Sequence, residues 1–397
     1  MTTTAVSGTV VRDQVLEAHA RGESLRVAGR GTWLDAGRPV DASRALDLSF
    51  HAGIIEYVPG DVTLTARAGT TLAEVARLTN AERQWLALDP FGSLDGTLGA
   101  TIATASSGPL AHAFGTPRDQ VLGLEVVSGS GDVIRAGGRV VKNVAGFDLT
   151  RLFTGSWGTL GILTEVTVRL RALPEAEAHL AVAVPDDRPA GIAALCRAAT
   201  ELRAAPYALE LVSAALATRV GLTPATTLLV RLGGNASAVR AQRDAVAMLG
   251  QSSEIAPDTW TALRNTEPVR SAVIRIAGRP SAFAGAWRTM SDLLAPLPGV
   301  LIHGSPGRGT VRAIVPDPLS AELAEALRSL VESARGVSAE RLPAPLWPQF
   351  DRLIAERPLP DEDVASRRVL ASLTRRVKDT YDPMHLLNPG LLGTAIA

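Results

Sequence analysis

The distribution of glycine is the feature that most restricts how this chain can fold. Of its 36 glycines, 22 lie in the 173 residues before Pro174, and 14 lie in the 224 residues from Pro174 onward. Glycine adopts backbone angles that other residues avoid, and it lets a backbone approach a ligand closely. The first part of the chain is therefore predicted to contain many tight turns, or a ligand held by backbone groups.

Hydrophobic periodicity predicts that this first part consists mostly of short strands. A strand over 25–28 leads directly into a glycine loop, and a strand is also expected over 85–88. Thr71 and Glu74 fit a capping box, which predicts that a helix begins there. Residues 160–170 alternate between apolar and polar, a pattern that predicts a strand with one solvated face.

Beyond Pro174 the chain has the pattern of an ordinary α+β domain. Predicted strands alternate with predicted helices and no phosphate-loop spacing appears, which favours a sheet covered by helices on one side. The tail is expected to form a basic helix over 363–381. The fold class predicted for the whole chain is α+β.

Three segments rich in glycine and hydroxyl residues have the character of an anion-binding backbone: 28–32, 96–108 and 155–161. Backbone N–H groups at a turn or a helix start can meet the closely spaced oxygens of a pyrophosphate. The structural alternatives are a tight turn, a close helix–sheet contact and a loop with a β-bulge, respectively. A fourth segment, 141–149, places a lysine, an asparagine and an aspartate in an apolar context, which also fits a loop with an Asx-turn.

Composition excludes several classes of partner and site. Lys plus Arg and Asp plus Glu both total 40, which argues against nucleic acid or an anionic membrane as the main partner. The single cysteine, Cys196, can form neither an intramolecular disulfide nor a cysteine-ligated iron–sulfur cluster or zinc site. No signal-like N-terminus and no apolar run of about 18 residues appear, so we expect a cytoplasmic protein without a transmembrane segment.

Taken together and in this order, the segments between about 24 and 173 resemble the vanillyl-alcohol-oxidase type of FAD-binding domain, also called the PCMH type. Similar segments also occur in lactate- and glycolate-oxidising members of that family. They are Gly29-Arg30-Gly31-Thr32, Thr97-Leu98-Gly99-Ala100, 142–149, 158–165 and, in the tail, 381–383 with 387–390. The resemblance implies a two-subdomain FAD-binding domain over 1–173 and an α+β cap with a mostly antiparallel sheet over 174–345. Residues 346–397 would then return to the FAD domain.

The resemblance also implies a role for each similar position. The first two loops would cradle the pyrophosphate, the 161–162 segment would lie along the adenosine, and the 143–148 segment would lie near the flavin or its phosphates. The tail would return one asparagine to the flavin region. The residues expected to bind FAD are Ala28, Gly29, Arg30, Gly31, Thr32, Thr97, Leu98, Gly99, Asn143, Asp148, Gly158, Thr159, Gly161, Ile162 and Asn388.

Two departures from the family pattern bear on chemistry. Many members attach FAD covalently through a histidine in the first loop, where this chain carries Arg30, so non-covalent FAD is expected. Hydroxy-acid-oxidising relatives carry a His-x-Gly-Asp-Gly-Asn-x-His segment in the cap, but this chain has only His303-Gly304-Ser305-Pro306-Gly307. His303 is therefore expected to be structural, no metal site is expected, and no catalytic residue is assigned.

The missing acid–base set suggests an accessory subunit. The resemblance is greatest, around 138–152, to the FAD-binding subunits of bacterial glycolate oxidases. Such a subunit works beside a larger FAD-containing subunit, which oxidises glycolate, and an iron–sulfur subunit, which takes the electrons. The resemblance therefore implies a small 2-hydroxy acid as the substrate, and contact with a membrane only through partners.

Two other functions remain open from the sequence. One is a free-standing FAD-dependent oxidase or dehydrogenase with a substrate site that uses residues such as Arg275, Tyr207 and Glu210. The other is an assembly protein that keeps the fold without the chemistry. A basic patch on the tail helix is either a docking face or a solvated surface; its members are Arg367, Arg368, Arg375, Arg376 and Lys378.

Overall fold

The computed structural model describes residues 7–138, 148–184, 188–316, 318, 321–357 and 361–393. Its strands are β1 (Leu25–Ala28), β2 (Arg44–Asp47), β3 (Ile54–Val58), β4 (Thr63–Arg67), β5 (Gln84–Trp85), β6 (Val121–Ser128), β7 (Val133–Gly137), β8 (Gly161–Arg169), β9 (Arg171–Ala172), β10 (Ala176–Ala183), β11 (Ala208–Val212), β12 (Thr227–Gly234), β13 (Ser252–Glu254), β14 (Ala272–Ala277), β15 (Leu301–Ser305), β16 (Thr310–Val315) and β17 (Val337–Arg341).

Its α-helices are α1 (Ser7–Arg21), α2 (Leu72–Ala81), α3 (Leu98–Thr104), α4 (Ala111–Phe114), α5 (Pro117–Gln120), α6 (Leu149–Phe153), α7 (Pro189–Thr200), α8 (Ala214–Arg219), α9 (Ala236–Ala247), α10 (Asp258–Arg264), α11 (Phe283–Leu294), α12 (Ala321–Ser333), α13 (Trp347–Glu356) and α14 (Asp361–Tyr381). A short 3-10 turn, Pro306–Arg308, joins β15 to β16.

The first half of the chain contains a two-stranded β5–β9 sheet and two further sheets that position the site. A five-stranded antiparallel sheet has the order β3-β4-β8-β6-β7, and β1 and β2 form a parallel pair. Helix α1 joins the two, because its buried Val11 and Val15 share one core with Leu25 of β1 and Ile162 of β8. The glycine loop that follows β1 is thereby held near the start of β8.

Threonine caps begin the two helices next to this sheet. Thr71 Oγ1 accepts a hydrogen bond from the Glu74 N–H at 3.0 Å, so the predicted helix start is confirmed. Thr97 caps α3 in the same way. The strand predicted over 85–88 is wrong beyond Trp85, because only Gln84 and Trp85 pair with β9. The apolar residues after Trp85 are buried by core packing instead of by strand pairing.

Strand β8 is the predicted long strand, but its faces do not follow a strict alternation. Its pairing with β6 shifts register at Thr164, which has no opposing residue in β6. A bulge adds one residue to a strand, so the side chains before it lie on the opposite faces from those that a strict alternation predicts. Leu163 therefore joins the core of Val166, while Ile162 packs toward α1. The start of β8 is buried on both faces, and the solvated face predicted for 160–170 is confined to its second half.

Residues after Pro174 form an eight-stranded antiparallel sheet of order β13-β10-β12-β11-β15-β16-β14-β17, which we call the cap sheet. Helices α7, α9, α11 and α12 pack on one of its faces through a single large core. The short helices α8 and α10 pack on the other face through Leu216 and Trp260. The prediction of helices on one side only is therefore wrong for these two, which are too short to produce a clear periodicity.

The C-terminal segment returns to the first half of the chain after α14. The Leu25 N–H donates to the Leu386 carbonyl at 2.7 Å, and the Asn388 N–H donates to the Leu25 carbonyl at 2.9 Å. Leu387 thereby forms a parallel bridge to Leu25. The tail thus extends the edge of the β1–β2 pair, next to the glycine loop.

The basic patch expected on α14 is smaller than its sequence suggests. Arg368, Arg375 and Arg376 are exposed, but Lys378 is buried, so its inclusion in a surface patch was wrong. The side chain of Arg367 lies outside the described residues. Lys378 faces inward because it lies one turn before the buried Asp382, with which it forms an ion pair.

The strands of the five-stranded sheet span residues 54–169, and those of the cap sheet span 176–341. These spans support the domain limits 1–173, 174–345 and 346–397, which remain a proposal. Among the described helices, none is both long enough and apolar enough to cross a lipid bilayer.

Candidate functional site

The glycine loop, the start of α3 and the tail enclose a cavity of about 120 Å³, which we call the loop cavity. Most of the predicted FAD-binding residues line it. They are Ala28, Gly29, Arg30, Gly31, Thr32, Thr97, Gly99, Gly158, Ile162 and Asn388. The fold therefore gathers at one place segments that are far apart in the sequence.

The loop after β1 offers unpaired backbone donors to this cavity. The N–H groups of residues 29–32 donate to no acceptor in the part of the chain that the structure describes. Gly31 has φ +69°, a conformation that favours glycine. A Cβ atom at Gly29 would overlap the hydroxyl of the buried Thr97. This loop is thus a cradle of N–H groups, suited to the oxygens of a pyrophosphate.

Asn388 joins the three segments around the loop cavity. Its Oδ1 accepts a hydrogen bond from the Val27 N–H at 2.8 Å, and its Nδ2 donates to the Trp157 carbonyl at 2.8 Å. It adopts the left-handed conformation, with φ +44°. The side chain therefore fixes the end of β1 relative to the loop that precedes β8.

Five predicted residues do not line the loop cavity. Leu98 is a core residue, and a Cβ atom at Gly161 would press into the same core against Val126 and Phe153. Asp148 is the N-cap of α6, where it accepts a hydrogen bond from the Arg151 N–H at 3.1 Å. The other two are Thr159, whose hydroxyl donates to the Ser156 carbonyl at 2.6 Å, and Asn143, which lies outside the described residues.

Sequence reasoning missed the residue that fastens the tail, Lys378. Its Nζ donates to Asp382 Oδ2 and to the Thr159 carbonyl, both at 2.6 Å, and to the Leu387 carbonyl at 3.2 Å. A buried lysine is stable only when it is paired and fully hydrogen-bonded, as it is here. The spacing of Lys378 and Asp382 by four residues at a helix end was the available signal.

A second and larger cavity, of about 500 Å³, lies between the glycine-rich half and the cap sheet; we call it the central cavity. It shares Trp33, Thr104, Trp157 and Leu391 with the loop cavity, so the two are neighbours. The rings of Trp33 and Trp157 stack at this boundary, with centroids 5.6 Å apart. An elongated ligand held by the glycine loop can thus extend past the two tryptophans toward the cap sheet.

Charged residues dominate the cap side of the central cavity. Arg275 and Glu210, named from the sequence for a free-standing enzyme, both line it, whereas Tyr207 does not and packs against Trp85 and Phe114. Arg308, which the sequence reasoning did not single out, also lines it. The cavity is therefore suited to a polar and anionic ligand on this side.

The cap-side wall of the central cavity contains a buried network centred on Arg312, which lines the cavity together with Glu210 and Glu340. His303 Nδ1 is 2.6 Å from Glu210 Oε1, and its Nε2 is 3.3 Å from Arg312 NH1. Arg312 NH2 also donates to Glu267 at 2.7 Å and to Glu340 at 2.5 Å. Both ring nitrogens of His303 are thus engaged by other side chains. His303 can take a proton from a substrate only if one of these contacts breaks.

The network fixes the charge states of its members. Burial alone would lower the pKa of Arg312, but Glu340 and Glu267 together raise it. Burial would raise the pKa of Glu267, but Arg312 and Arg341 outweigh it and the pKa is lowered. Within the described ranges, no group of three or more His, Cys, Asp or Glu side chains is arranged to hold a metal ion. The expectation of no metal site stays a prediction.

The family comparison agrees with the cradle of N–H groups. Residues 5–137 match the model of a family described as "FAD binding domain". The glycine loop lies within this matched segment, and the match identifies FAD as the cofactor of this domain. The residues present fit FAD at the glycine loop. There, the N–H groups of 29–32 have no acceptor among the residues that the structure describes, and Gly29 has no side chain to collide with Thr97.

Curated relatives align with less than half of their own length. The chain is 37% identical over 170 residues to glycolate oxidase subunit GlcE of Escherichia coli, covering 42% of this chain and 48% of that protein. It is 39% identical over 153 residues to glycolate oxidase subunit GlcD of Bacillus subtilis, covering 38% of this chain and 33% of that protein. The chain thus spans half or less of the relatives it matches.

Solved structures match nearly the whole chain at low identity. A p-cresol methylhydroxylase with substrate bound has a TM-score of 0.74 and 17% identity, covering 98% of this chain and 88% of that one. An alkyldihydroxyacetonephosphate synthase has a TM-score of 0.66 and 18% identity, covering 96% and 75%. At such identities the matches establish the shared fold, and the predicted α+β class with a mostly antiparallel cap sheet is confirmed.

Proposed function

We propose that this chain, whose residues 5–137 match the FAD binding domain model, is the FAD-binding subunit of a glycolate oxidase or dehydrogenase complex. The complex would oxidise glycolate, or a related 2-hydroxy acid, to the 2-oxo acid. The observation that carries the proposal is the 37% identity to the GlcE subunit over 170 residues. That alignment is accompanied by a loop cavity built from the predicted FAD-binding segments.

In this proposal the glycine loop holds the FAD pyrophosphate through the N–H groups of 29–32. Thr97 packs directly against Gly29 of the loop, and Asn388 accepts a hydrogen bond from the Val27 N–H at the end of β1. When bound, the flavin supplies the hydride acceptor for the oxidation of a hydroxy acid. The chain itself binds and orients the cofactor.

We propose that the FAD is non-covalently held. In the described residues, neither the loop cavity nor the central cavity is lined by a histidine, cysteine or tyrosine. Arg30 also stands in the loop where many relatives have a histidine. Acid precipitation should therefore release all of the flavin into the supernatant. Yellow colour that remains in the washed pellet would contradict this attachment.

The proposed partners are a larger FAD-containing subunit and an iron–sulfur subunit. The cap lacks the family's histidine-rich segment, and His303 has both ring nitrogens engaged by Glu210 and Arg312. This supports a chain that shares the reaction with a partner. We place the complex in the cytoplasm, where the inner face of the membrane would be reached through the partners.

A second candidate function is a free-standing FAD-dependent 2-hydroxy-acid oxidase or dehydrogenase. The observation that favours it is the central cavity, which has room for a small ligand and is lined by Arg275, Arg308 and Glu210. A non-catalytic assembly subunit is the third candidate, and the free N–H groups of the glycine loop argue against it.

One experiment separates the three candidates. The purified chain, alone and then with its co-expressed larger subunit and iron–sulfur subunit, is mixed anaerobically with glycolate while flavin absorbance is followed. Bleaching of the chain's flavin only in the complex supports the first candidate. Rapid bleaching of the isolated chain supports the second. A colourless protein that FAD cannot reconstitute supports the third and overturns the other two.

A further inference from the structure

The central cavity contains more positive charge than its own carboxylates neutralise. Arg308 donates a hydrogen bond to Ser107 Oγ at 3.3 Å. Among the described residues it forms no direct ion pair, although the Glu210 carboxylate acts to raise its pKa. Burial lowers the pKa of this guanidinium. An arginine that is largely removed from water without a carboxylate partner is costly, unless a ligand supplies the missing anion.

Arg275 faces the same cavity and is also incompletely paired. Its Nε is buried without a hydrogen-bond partner. Its nearest carboxylate is Glu340, 3.7 Å from NH1, and that carboxylate lies closer to Arg312, at 2.5 Å. The positive charge of Arg275 contributes to lowering the pKa of Arg308, so the two guanidinium groups are close enough to repel each other. An anion between them would relieve that repulsion.

A third unpartnered donor lies on the same wall. Ser305, at the end of β15, is 5% exposed, and its hydroxyl has no hydrogen-bond partner. It lies two residues after His303 on the same strand, so both side chains share one face of the cap sheet. Strand pairing sets His303 opposite Arg312, and Arg312 opposite Arg275. The register thus brings Ser305 and Arg275 to one face, beside the turn that carries Arg308.

We infer that Arg275, Arg308 and Ser305 form a carboxylate-binding site, which holds the acid group of the substrate against the cap sheet. The inference rests on the second candidate function, in which the central cavity of this chain holds the substrate. Two guanidinium groups and one hydroxyl match the oxygens of a small carboxylate. In this arrangement the carboxylate is held on the cap side, and the rest of the molecule points toward the FAD-binding half.

The test uses oxalate, a two-carbon dicarboxylate that carries no hydroxyl to oxidise. The FAD-loaded chain is titrated with oxalate at low ionic strength, and binding is followed by calorimetry and by the change in the flavin spectrum. Charge-assisted hydrogen bonds contribute about 1.5–3 kcal/mol each, so Arg308→Gln should weaken oxalate binding by roughly tenfold or more. Arg275→Gln and Ser305→Ala should weaken it as well, the serine variant least.

The matched control is Arg328→Gln on α12, which removes an exposed arginine that pairs with Glu325 on its own helix. This variant should bind oxalate like the unmodified chain. FAD content is measured for every variant and should not change, because the three residues contact no part of the loop cavity.

The inference is overturned if the FAD-loaded chain does not bind oxalate, or if Arg308→Gln and Arg275→Gln both bind it unchanged. Loss of FAD in Arg308→Gln, with oxalate binding retained, would assign the arginine to the cofactor and also overturn it. A chain that holds no FAD contradicts the proposed function instead. The same calorimetric titration of the apoprotein then decides the carboxylate site on its own.

Discussion

At Gly29 the absence of a side chain decides whether the cradle can form. A Cβ atom there would overlap the hydroxyl of Thr97, which is 1% exposed and caps α3. Thr97 cannot move aside without losing the cap, which is worth about 1 kcal/mol. We therefore expect Gly29→Ala to lower the FAD content of the purified protein several-fold and to lower its melting temperature slightly. Flavin absorbance and thermal unfolding measure the two effects.

Gly60→Ala is the control for that substitution. Gly60 has no heavy atom of another residue near its Cβ position, and its φ is not in the left-handed region. FAD content and melting temperature should match those of the unmodified chain. If Gly29→Ala also retained full FAD, the glycine loop would not be the pyrophosphate cradle.

Asp89 is a partly buried carboxyl group with an unusual proton affinity. Burial raises its pKa to about 7, although the hydrogen bond that it accepts from the Leu110 N–H at 3.1 Å acts to lower the pKa. In the unfolded chain its pKa is about 3.9, so between these values the folded state binds the extra proton. This group therefore makes the free energy of unfolding fall as pH rises from about 4 to about 7, by at most about 1.4 kcal/mol per pH unit.

Asp89→Asn isolates this contribution, because asparagine can still accept the hydrogen bond from Leu110 and does not titrate. The variant should gain stability relative to the unmodified chain as pH rises through this range, and the difference should level off above about pH 7. Urea unfolding at several pH values measures it. A stability difference that stays constant from about pH 4 to about pH 8 would show that Asp89 titrates normally.

Among the elements, the return of the tail to β1 depends on Asn388. Its side chain makes hydrogen bonds to the Val27 N–H and the Trp157 carbonyl, and its backbone is left-handed. Asn388→Gly keeps that backbone and loses both hydrogen bonds, at a cost of about 2 kcal/mol. Asn388→Ala adds about 1 kcal/mol of backbone strain. FAD should dissociate faster from both variants, and the alanine variant should be the less stable.

Stopped-flow release of FAD and denaturant unfolding measure the two consequences separately. If both variants released FAD at the rate of the unmodified chain, the tail would not support the cofactor loop. Equal stability of the two variants would show that the left-handed conformation is relaxed in solution.

The elements differ in how far the sequence could define them. The helix start at Thr71 follows from a local hydrogen bond, so a four-residue pattern was sufficient. The bulge at Thr164 depends on its pairing with β6, about 40 residues earlier, and local alternation therefore misassigned the faces of β8. The Cβ position of Gly161 faces the core, so this glycine has a packing reason of its own, and its expected contact with FAD stays a prediction. Glycine needed for a ligand and glycine needed for packing look alike in a sequence.

The candidate site shows the same division. The loop-cavity residues were predictable as a set, because glycine at a loop position indicates an unusual backbone conformation or a close approach, and threonine there indicates a helix cap. The unpaired charges at Arg308 and Arg275 were not, since they exist only because distant strands bring those side chains to one cavity. Lys378 was taken for a surface residue, because only the fold places the Thr159 and Leu387 carbonyls around it.

In the whole molecule, a buried charge network connects the cap sheet to the glycine-rich half. Glu267 accepts hydrogen bonds from Arg312 of the cap sheet and, at 3.4 Å, from the Trp33 Nε1–H of the segment after the glycine loop. Arg341 of β17 lies 3.7 Å from Glu267 and forms an ion pair with Asp35 at 3.1 Å. The position of Trp33, at the boundary between the two cavities, is thus set partly by the cap.

Glu267→Gln should therefore weaken the whole molecule. Removing one partner of a buried ion pair leaves Arg312 and Arg341 short of negative charge, which costs about 3–5 kcal/mol of unfolding free energy. Glu254→Gln is the matched control, because its pair with Arg243 is exposed and should be worth about 1 kcal/mol or less. Denaturant unfolding at neutral pH compares the two variants.

The pH dependence of the same variant provides a second measurement. The pKa of Glu267 is lowered in the folded protein, so its stabilising effect is present above the pKa of the unfolded chain and is lost as pH falls through the folded value. The unmodified chain should thus lose more stability on acidification than Glu267→Gln, and the two should converge at low pH. Parallel losses of stability would show that the pKa of Glu267 is the same in the folded and unfolded chain, so that its ion pairs contribute no net stability. The connection between the halves would then rest on packing alone.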